Sequence, residues 1–191
     1  MILTYNYWYF DKGIPGDICK NIIQRGKELK PEVALTGTNE DPAQQDFSKR
    51  KSKISWIDEH WLYKLLHPFV QEANRQAGWN FEFSHSEAVQ FTTYKAPGEH
   101  YDWHYDFNEK NNSIRKLSCV VSLSDPTEYK GGMFQLYPSN VMKNPQVIEV
   151  SELKPKGTVL IFPSFLWHKV APITEGIRYS AVTWNRGEKF K

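Results

Sequence analysis

From Phe81 onward the chain breaks into short segments of β-type patterning separated by Gly and Pro, and this restricts its fold more than any other feature. The segments are 81–94, 99–106, 115–124, 132–137, 147–150, 157–162, 166–172 and 177–185. In the third, Leu117, Cys119, Val121 and Leu123 alternate with Ser118, Val120 and Ser122, a period of two that separates one strand face from the other. Val159 to Phe162 is apolar throughout, as expected for a strand covered on both faces. About eight short strands of this kind predict a mostly β protein, a double-stranded β-helix or jelly-roll barrel.

The first third of the chain reads differently. Pro15 and Asp17 open a segment with Ile18, Cys19, Ile22 and Ile23 at helical spacing. A second helix is expected to start near Ser55 and Asp58, with Trp61, Leu62, Leu65, Leu66, Phe69, Val70 and Ala73 on one stripe. Pro68 falls inside it and should kink or divide it, because an interior proline removes a hydrogen bond and crowds the preceding turn. Between the two helices, 30–53 is polar, ends in the basic run Ser48–Lys53, and reads as a long loop, which in a small domain usually carries function. A chain of 191 residues accommodates one domain, 1–191, with a helical block at about 1–80 that buttresses a jelly-roll core at about 81–186.

Within the second strand segment, His100-Tyr101-Asp102-Trp103-His104-Tyr105-Asp106 contains two overlapping His-x-Asp pairs, and His168 follows after a long gap. Two imidazoles and one carboxylate on one side of a metal leave adjacent positions free, the coordination typical of non-haem Fe(II) oxygenases. On a regular strand His100, Asp102, His104 and Asp106 would share a face, so strand geometry does not choose between the pairs. A helical His-x-x-x-His zinc site is excluded, since Tyr101 stands where the catalytic Glu would be and Pro97 and Gly98 oppose a helix. Ten residues beyond His168, Arg178 begins a strand whose inward face carries Ser180, Val182 and Trp184. A buried Arg with no acidic partner is costly, so that face calls for a carboxylate guest or a protein acid. Trp103 and Tyr105 alternate with the ligands and are expected to face away from the metal into core packing. His60, His67 and His85 are read as structural, and His100 as a loop or rim residue.

Around His104 the chain resembles the prolyl 4-hydroxylase group of 2-oxoglutarate- and Fe(II)-dependent oxygenases. Tyr94 lies ten residues before His104, Tyr101 three before it, and Gly98 sits in the turn between them. With His100 as ligand, Gln90 and Pro97 would fill the Tyr places and the match is lost. Gly131-Gly132-Met133-Phe134 matches the family's Gly-Gly turn into a strand. The resemblance, over residues 81 to 186, implies His104, Asp106 and His168 as metal ligands and Arg178 as the clamp on the co-substrate carboxylate. It implies Tyr94 or Ser180 as a further hydrogen-bond donor and Trp184 as an aromatic closing the pocket. Many members carry Lys at the place of Arg178, which leaves the subgroup open. The cofactors implied are Fe(II) and 2-oxoglutarate, with ascorbate as a candidate reductant. The implied substrate is a prolyl residue in a protein or peptide.

Other classes stay in view. A related oxygenase could hydroxylate a free amino acid or another small molecule, with 30–53 as a lid. The barrel could also be a non-catalytic cupin-like metal- or ligand-binding module. A halogenase would need a small residue in place of Asp106. The net charge of +2 argues against a nucleic-acid partner. No apolar run reaches membrane-spanning length, and the N-terminal stretch lacks a signal-peptide pattern. The two cysteines, Cys19 and Cys119, are expected as buried free thiols, and the expected location is cytoplasmic.

Overall fold

The computed structural model describes residues 3–36, 45–110, 113–139 and 141–190. In chain order these form β1 (Trp8–Phe10), α1 (Gly16–Glu28), β2 (Glu32–Val33), β3 (Arg50–Lys51), β4 (Lys53–Ile57), α2 (His60–Gln76), β5 (His85–Ser86), β6 (Val89–Lys95) and β7 (His100–His104). The remainder are β8 (Glu109–Lys110), β9 (Ser113–Ser122), β10 (Tyr129–Gly131), β11 (Phe134–Tyr137), β12 (Ile148–Glu149), a 3-10 turn at Ser151–Leu153, β13 (Val159–Pro163), β14 (Trp167–Val170) and β15 (Ile173–Gly187).

Two antiparallel sheets face one another. The larger has the order β1-β13-β9-β15-β6-β4-β2, with β10 and β5 on β15 and β8 on β9. The smaller has the order β12-β11-β14-β7-β3. Two apolar cores separate three layers, as a sheet covered on both faces requires. One core lies between the helices and the larger sheet and contains Cys19, Ile22, Leu62, Leu66, Val70, Leu117, Cys119 and Val121. The other fills the space between the sheets with Val120, Phe134, Leu136, Leu160, Phe162 and Leu166. The period of two in β9 therefore divides its side chains as expected, with Leu117, Cys119 and Val121 toward the helices and Val120 toward the barrel interior.

The N-terminal block is less purely helical than expected. Its strand β4 extends the larger sheet beside β6, β1 pairs with β13, and β3 caps the smaller sheet beside β7. Ser55, expected at a helix start, lies inside β4, and its hydroxyl donates to the Gly26 carbonyl at 2.7 Å. Asp58 accepts from the Tyr63 hydroxyl at 2.8 Å, and α2 begins at His60 with no side-chain cap. The helix runs undivided through Pro68, and Trp61 lies 40% exposed, off the buried stripe. Both cysteines are buried free thiols, and burial raises the Cys119 thiol to about 12. Among the described residues no helix is long and apolar enough to cross a membrane. Of the expected loop 30–53, residues 37–44 lie outside the described residues.

Helix α1 packs on the larger sheet through Gly26, where an added Cβ would lie 2.3 Å from the Phe91 ring. Gly→Ala in a helix interior gains about 1 kcal/mol of propensity, but overpacking costs about 1–3 kcal/mol. Gly26→Ala should thus be net destabilising, read as a lower urea midpoint with an unchanged slope. A raised midpoint would mean that α1 can slide away from β6 without loss.

Candidate active site

Adjacent central strands of the smaller sheet bring the two histidines together. In β14, Trp167 and Lys169 alternate with His168, which pairs directly with His104 at the end of β7. The ring centroids are 4.1 Å apart. His104 Nδ1 meets the Asp102 carbonyl at 2.7 Å, and His168 Nδ1 meets the Leu166 carbonyl at 2.9 Å. Each Nδ1 therefore donates to a backbone carbonyl, which leaves Nε2 as the ring nitrogen turned toward the cluster. The Nε2 atoms lie 3.8 Å (His104) and 3.4 Å (His168) from the Asp106 carboxylate, and the three candidate ligand atoms lie within 4.8 Å of one another.

Asp106 follows β7 and is held from two sides. Its backbone N–H donates to the Ser164 carbonyl at 2.9 Å, and the Ser118 hydroxyl donates to its Oδ2 at 2.7 Å. The Ser118 proton being committed to Asp106, the 2.9 Å contact between the two serine hydroxyls has Ser164 as donor. Burial opposes ionisation of Asp106, but the neighbouring His168 and His104 rings outweigh this and hold the carboxyl below its ordinary range. Burial, with His168 adding to it, holds His104 well below the ordinary imidazole value, so its ring is neutral. A neutral His104 and an ionised Asp106 are in the protonation states that metal ligation needs.

The alternation expected across β7 is broken by a bulge. His168 faces His104, but Val170 faces Tyr101, so β7 has one more residue than its partner over this span. Tyr101 and His104 consequently both border the cavity, their rings stacked at 3.4 Å. His100 is turned outward to the Gly98 and Ser48 carbonyls at 2.8 and 3.0 Å. The expectation that four polar side chains share one face fails for this reason. Trp103 and Tyr105 do face away from the histidines, but toward the surface rather than the core: Tyr105 is exposed, and Trp103 lines an outer groove with Tyr137 and Trp167.

The cavity beside the triad is lined by Arg178, Ser180, Val182 and Trp184 of β15, by Gln90, Thr92 and Tyr94 of β6, and by Arg50 of β3. Arg178 is 2% exposed, and among the described residues no acid pairs with it and no group accepts a hydrogen bond from it. Its closest ring contact is Tyr94, 5.7 Å from guanidinium to centroid. Gly132, at φ +62°, leaves room for its stem, since a Cβ there would lie 3.1 Å from Arg178 Cδ. Burial raises Tyr94 above its ordinary value and Tyr101 to about 12, so both hydroxyls remain donors. Beside Trp184, Glu87 accepts from Arg115 at 2.7 and 2.6 Å and from Arg186 at 2.7 Å, and the Arg115 guanidinium lies 3.8 Å over the Trp184 ring. Ser118 and the Glu87 cluster were not singled out from sequence, and Arg50 was read only as part of the basic end of the 30–53 loop. The signal for Ser118 was its inward place in β9.

A family model described as the 2OG-Fe(II) oxygenase superfamily matches residues 89–186. The chain belongs to that superfamily. Its triad, its buried Arg178 and the strands β6 to β15, save the last residue of β15, fall within the matched span. A PKHD-type hydroxylase of Janthinobacterium sp. (strain Marseille) is 34% identical over 96 residues, covering 46% of this chain and 38% of that protein. One from Sphingopyxis alaskensis is 29% identical over 124 residues, covering 63% and 52%. The chain thus spans about half or less of the length of these curated relatives. Among solved structures, a Pseudomonas putida prolyl-4-hydroxylase superposes with a TM-score of 0.69 at 19% identity, covering 97% of this chain and 95% of that one. A prolyl hydroxylase from Trichoplax adhaerens, in complex with a hypoxia inducible factor peptide fragment, gives 0.70 at 19% identity, covering 95% and 84%. At that identity these two establish the double-stranded β-helix fold.

The superfamily's cofactors, Fe(II) and 2-oxoglutarate, suit this donor set. Two imidazoles and a carboxylate match a facial triad, and a buried guanidinium with no acid paired to it among the described residues suits a carboxylate guest. Ser118 orients Asp106 from outside the triad, and loss of such a partner typically costs 10–100-fold in metal affinity. Ser118→Ala should therefore weaken Fe(II) binding by about that factor, measured by competition with a chelator, and leave 2-oxoglutarate affinity of the iron-saturated protein unchanged.

Proposed function

We propose that this chain is a 2-oxoglutarate-dependent hydroxylase acting on a prolyl residue in a protein or peptide. The observation that carries the reading is an acid-free, buried Arg178 in the same cavity as the His104, Asp106 and His168 cluster. In this reading the three cluster residues hold Fe(II). Arg178 receives the distal carboxylate of 2-oxoglutarate through charge-assisted hydrogen bonds. Tyr94 and Ser180, both lining the cavity with hydroxyls unbonded among the described residues, supply a further donor to the same end. Val120, Phe134, Val170 and Val182 exclude water around the co-substrate. Trp184, 5% exposed, closes the cavity on the β15 side. When bound, Fe(II) and 2-oxoglutarate would supply the chemistry that activates O2, one oxygen atom going into the C–H bond as hydroxyl and the other into succinate, with loss of CO2.

The substrate class is supported by the PKHD-type hydroxylase relatives and by the prolyl hydroxylase neighbours, one of which holds a peptide. The test is incubation with Fe(II), 2-oxoglutarate and Pro-containing peptides, with succinate release and a 16 Da gain on proline expected in equal amounts. Hydroxylation of free amino acids alone would replace the peptide reading and keep the oxygenase one. Absence of succinate with every substrate class would remove both.

A further inference from the structure

Arg50 occupies a position in the cavity that the co-substrate does not explain. It sits in the two-residue strand β3 yet is only 7% exposed, and it lines the same cavity as the triad. Its guanidinium donates to Gln90 Oε1 at 2.8 Å and to Ser52 Oγ at 3.1 Å, and it lies 4.3 Å from the centre of the Tyr101 ring. All three partners are neutral, and among the described residues no acid pairs with it. A buried cation held only by neutral groups is an incomplete ion pair.

Its location separates it from Arg178. Arg178 stands opposite Tyr94 on β6, whereas Arg50 is anchored to Gln90, four residues along the same strand. Four residues of strand span about 13 Å, so the two arginines approach the cavity from different places along β6. Charge separates them too. A divalent ion, Asp106, Arg178 and a dicarboxylate cancel, which leaves Arg50 uncompensated. From Phe47 to Ile57 the chain carries Lys49, Arg50, Lys51 and Lys53 and no acid, so the edge leading to Arg50 is basic.

We infer that Arg50 is a substrate subsite for a carboxylate, so that the primary substrate is acidic next to its reacting carbon. This rests on the hydroxylase reading and narrows its substrate. The carboxylate comes from an Asp or Glu side chain beside the target residue or from a free α-carboxylate, and peptide pairs distinguish the two.

The test uses the iron- and 2-oxoglutarate-loaded protein under nitrogen, with peptide binding followed by tryptophan fluorescence and confirmed by calorimetry. Pro-containing peptides are compared with Glu or Gln beside the proline, and with the proline as C-terminal acid or C-terminal amide. At least one acidic member should bind about tenfold or more tighter than its neutral isostere. Arg50→Gln should erase that preference while 2-oxoglutarate affinity stays within about twofold, and Arg50→Lys should restore part of it. No acid preference in the unmodified protein overturns the inference. So does a large loss of 2-oxoglutarate affinity in Arg50→Gln, which would assign Arg50 to the co-substrate. An acid preference lost in Arg50→Gln but without succinate release under air would uphold the carboxylate subsite and remove the hydroxylase reading.

Discussion

Replacing His168 with alanine is expected to abolish Fe(II) binding and turnover together while leaving a folded protein. His168 is 4% exposed, and its Nδ1 proton is committed to Leu166, so Nε2 is its one free lone pair. Loss of a residue that merely orients a ligand costs roughly 10–100-fold in metal affinity, so loss of a ligand should exceed that range. His104→Ala should behave alike, and His100→Ala should bind iron as the unmodified protein does. Calorimetry with Fe(II) under nitrogen, paired with a thermal unfolding midpoint, separates ligand loss from misfolding. Should His100→Ala lose iron and His104→Ala keep it, the ligand assignment is wrong.

The second large effect is expected at Arg178. A carboxylate bound to it gains charge-assisted hydrogen bonds of roughly 1.5–3 kcal/mol each, so Arg178→Ala should weaken 2-oxoglutarate binding about ten- to a hundredfold or more. Iron affinity should not move, because the guanidinium bonds none of the three ligands. Stability should hold or rise, since the substitution removes a buried cation that has no acidic partner among the described residues. Unchanged co-substrate affinity would sink the clamp role. Arg178→Lys is a useful companion: it keeps the charge but not the planar fork, and should recover only part of the loss.

Much of this arrangement was legible because the strands that carry it are long enough to show their period. Along β15, Arg178, Ser180, Val182 and Trp184 do line the cavity, while Tyr179 and Ala181 lie on the helix side. The first 80 residues were harder. In Lys53–Ile57 only five residues carry the alternation, and Ser55 and Asp58 look like the start of the helix that follows. Pairing with β6 decided the matter, a long-range contact that local pattern does not contain. The bulge in β7 was equally hidden, since an extra residue is defined only against a partner strand. Arg50 was read only as one charge in the basic end of the 30–53 loop, although its neighbours Lys49, Lys51 and Lys53 are exposed and it alone of the four is buried.

The placement of Arg50 and the triad on different strands of the smaller sheet has a consequence for how such a protein can change. His104 and His168 stand on β7 and β14, each flanked on both sides by other strands, whereas Arg50 stands on β3, two residues at the rim with one neighbour. Rim strands of this length open at lower free energy than strands flanked on both sides. Amide exchange should accordingly be faster in 50–51 than in 167–170. With Arg50 as the proposed substrate contact, changes in the segment ending at Ser52 would alter what is selected while His168 keeps its place between β11 and β7. Chemistry and choice of partner would then be separately heritable in this architecture, and new specificities would arise from the rim inward.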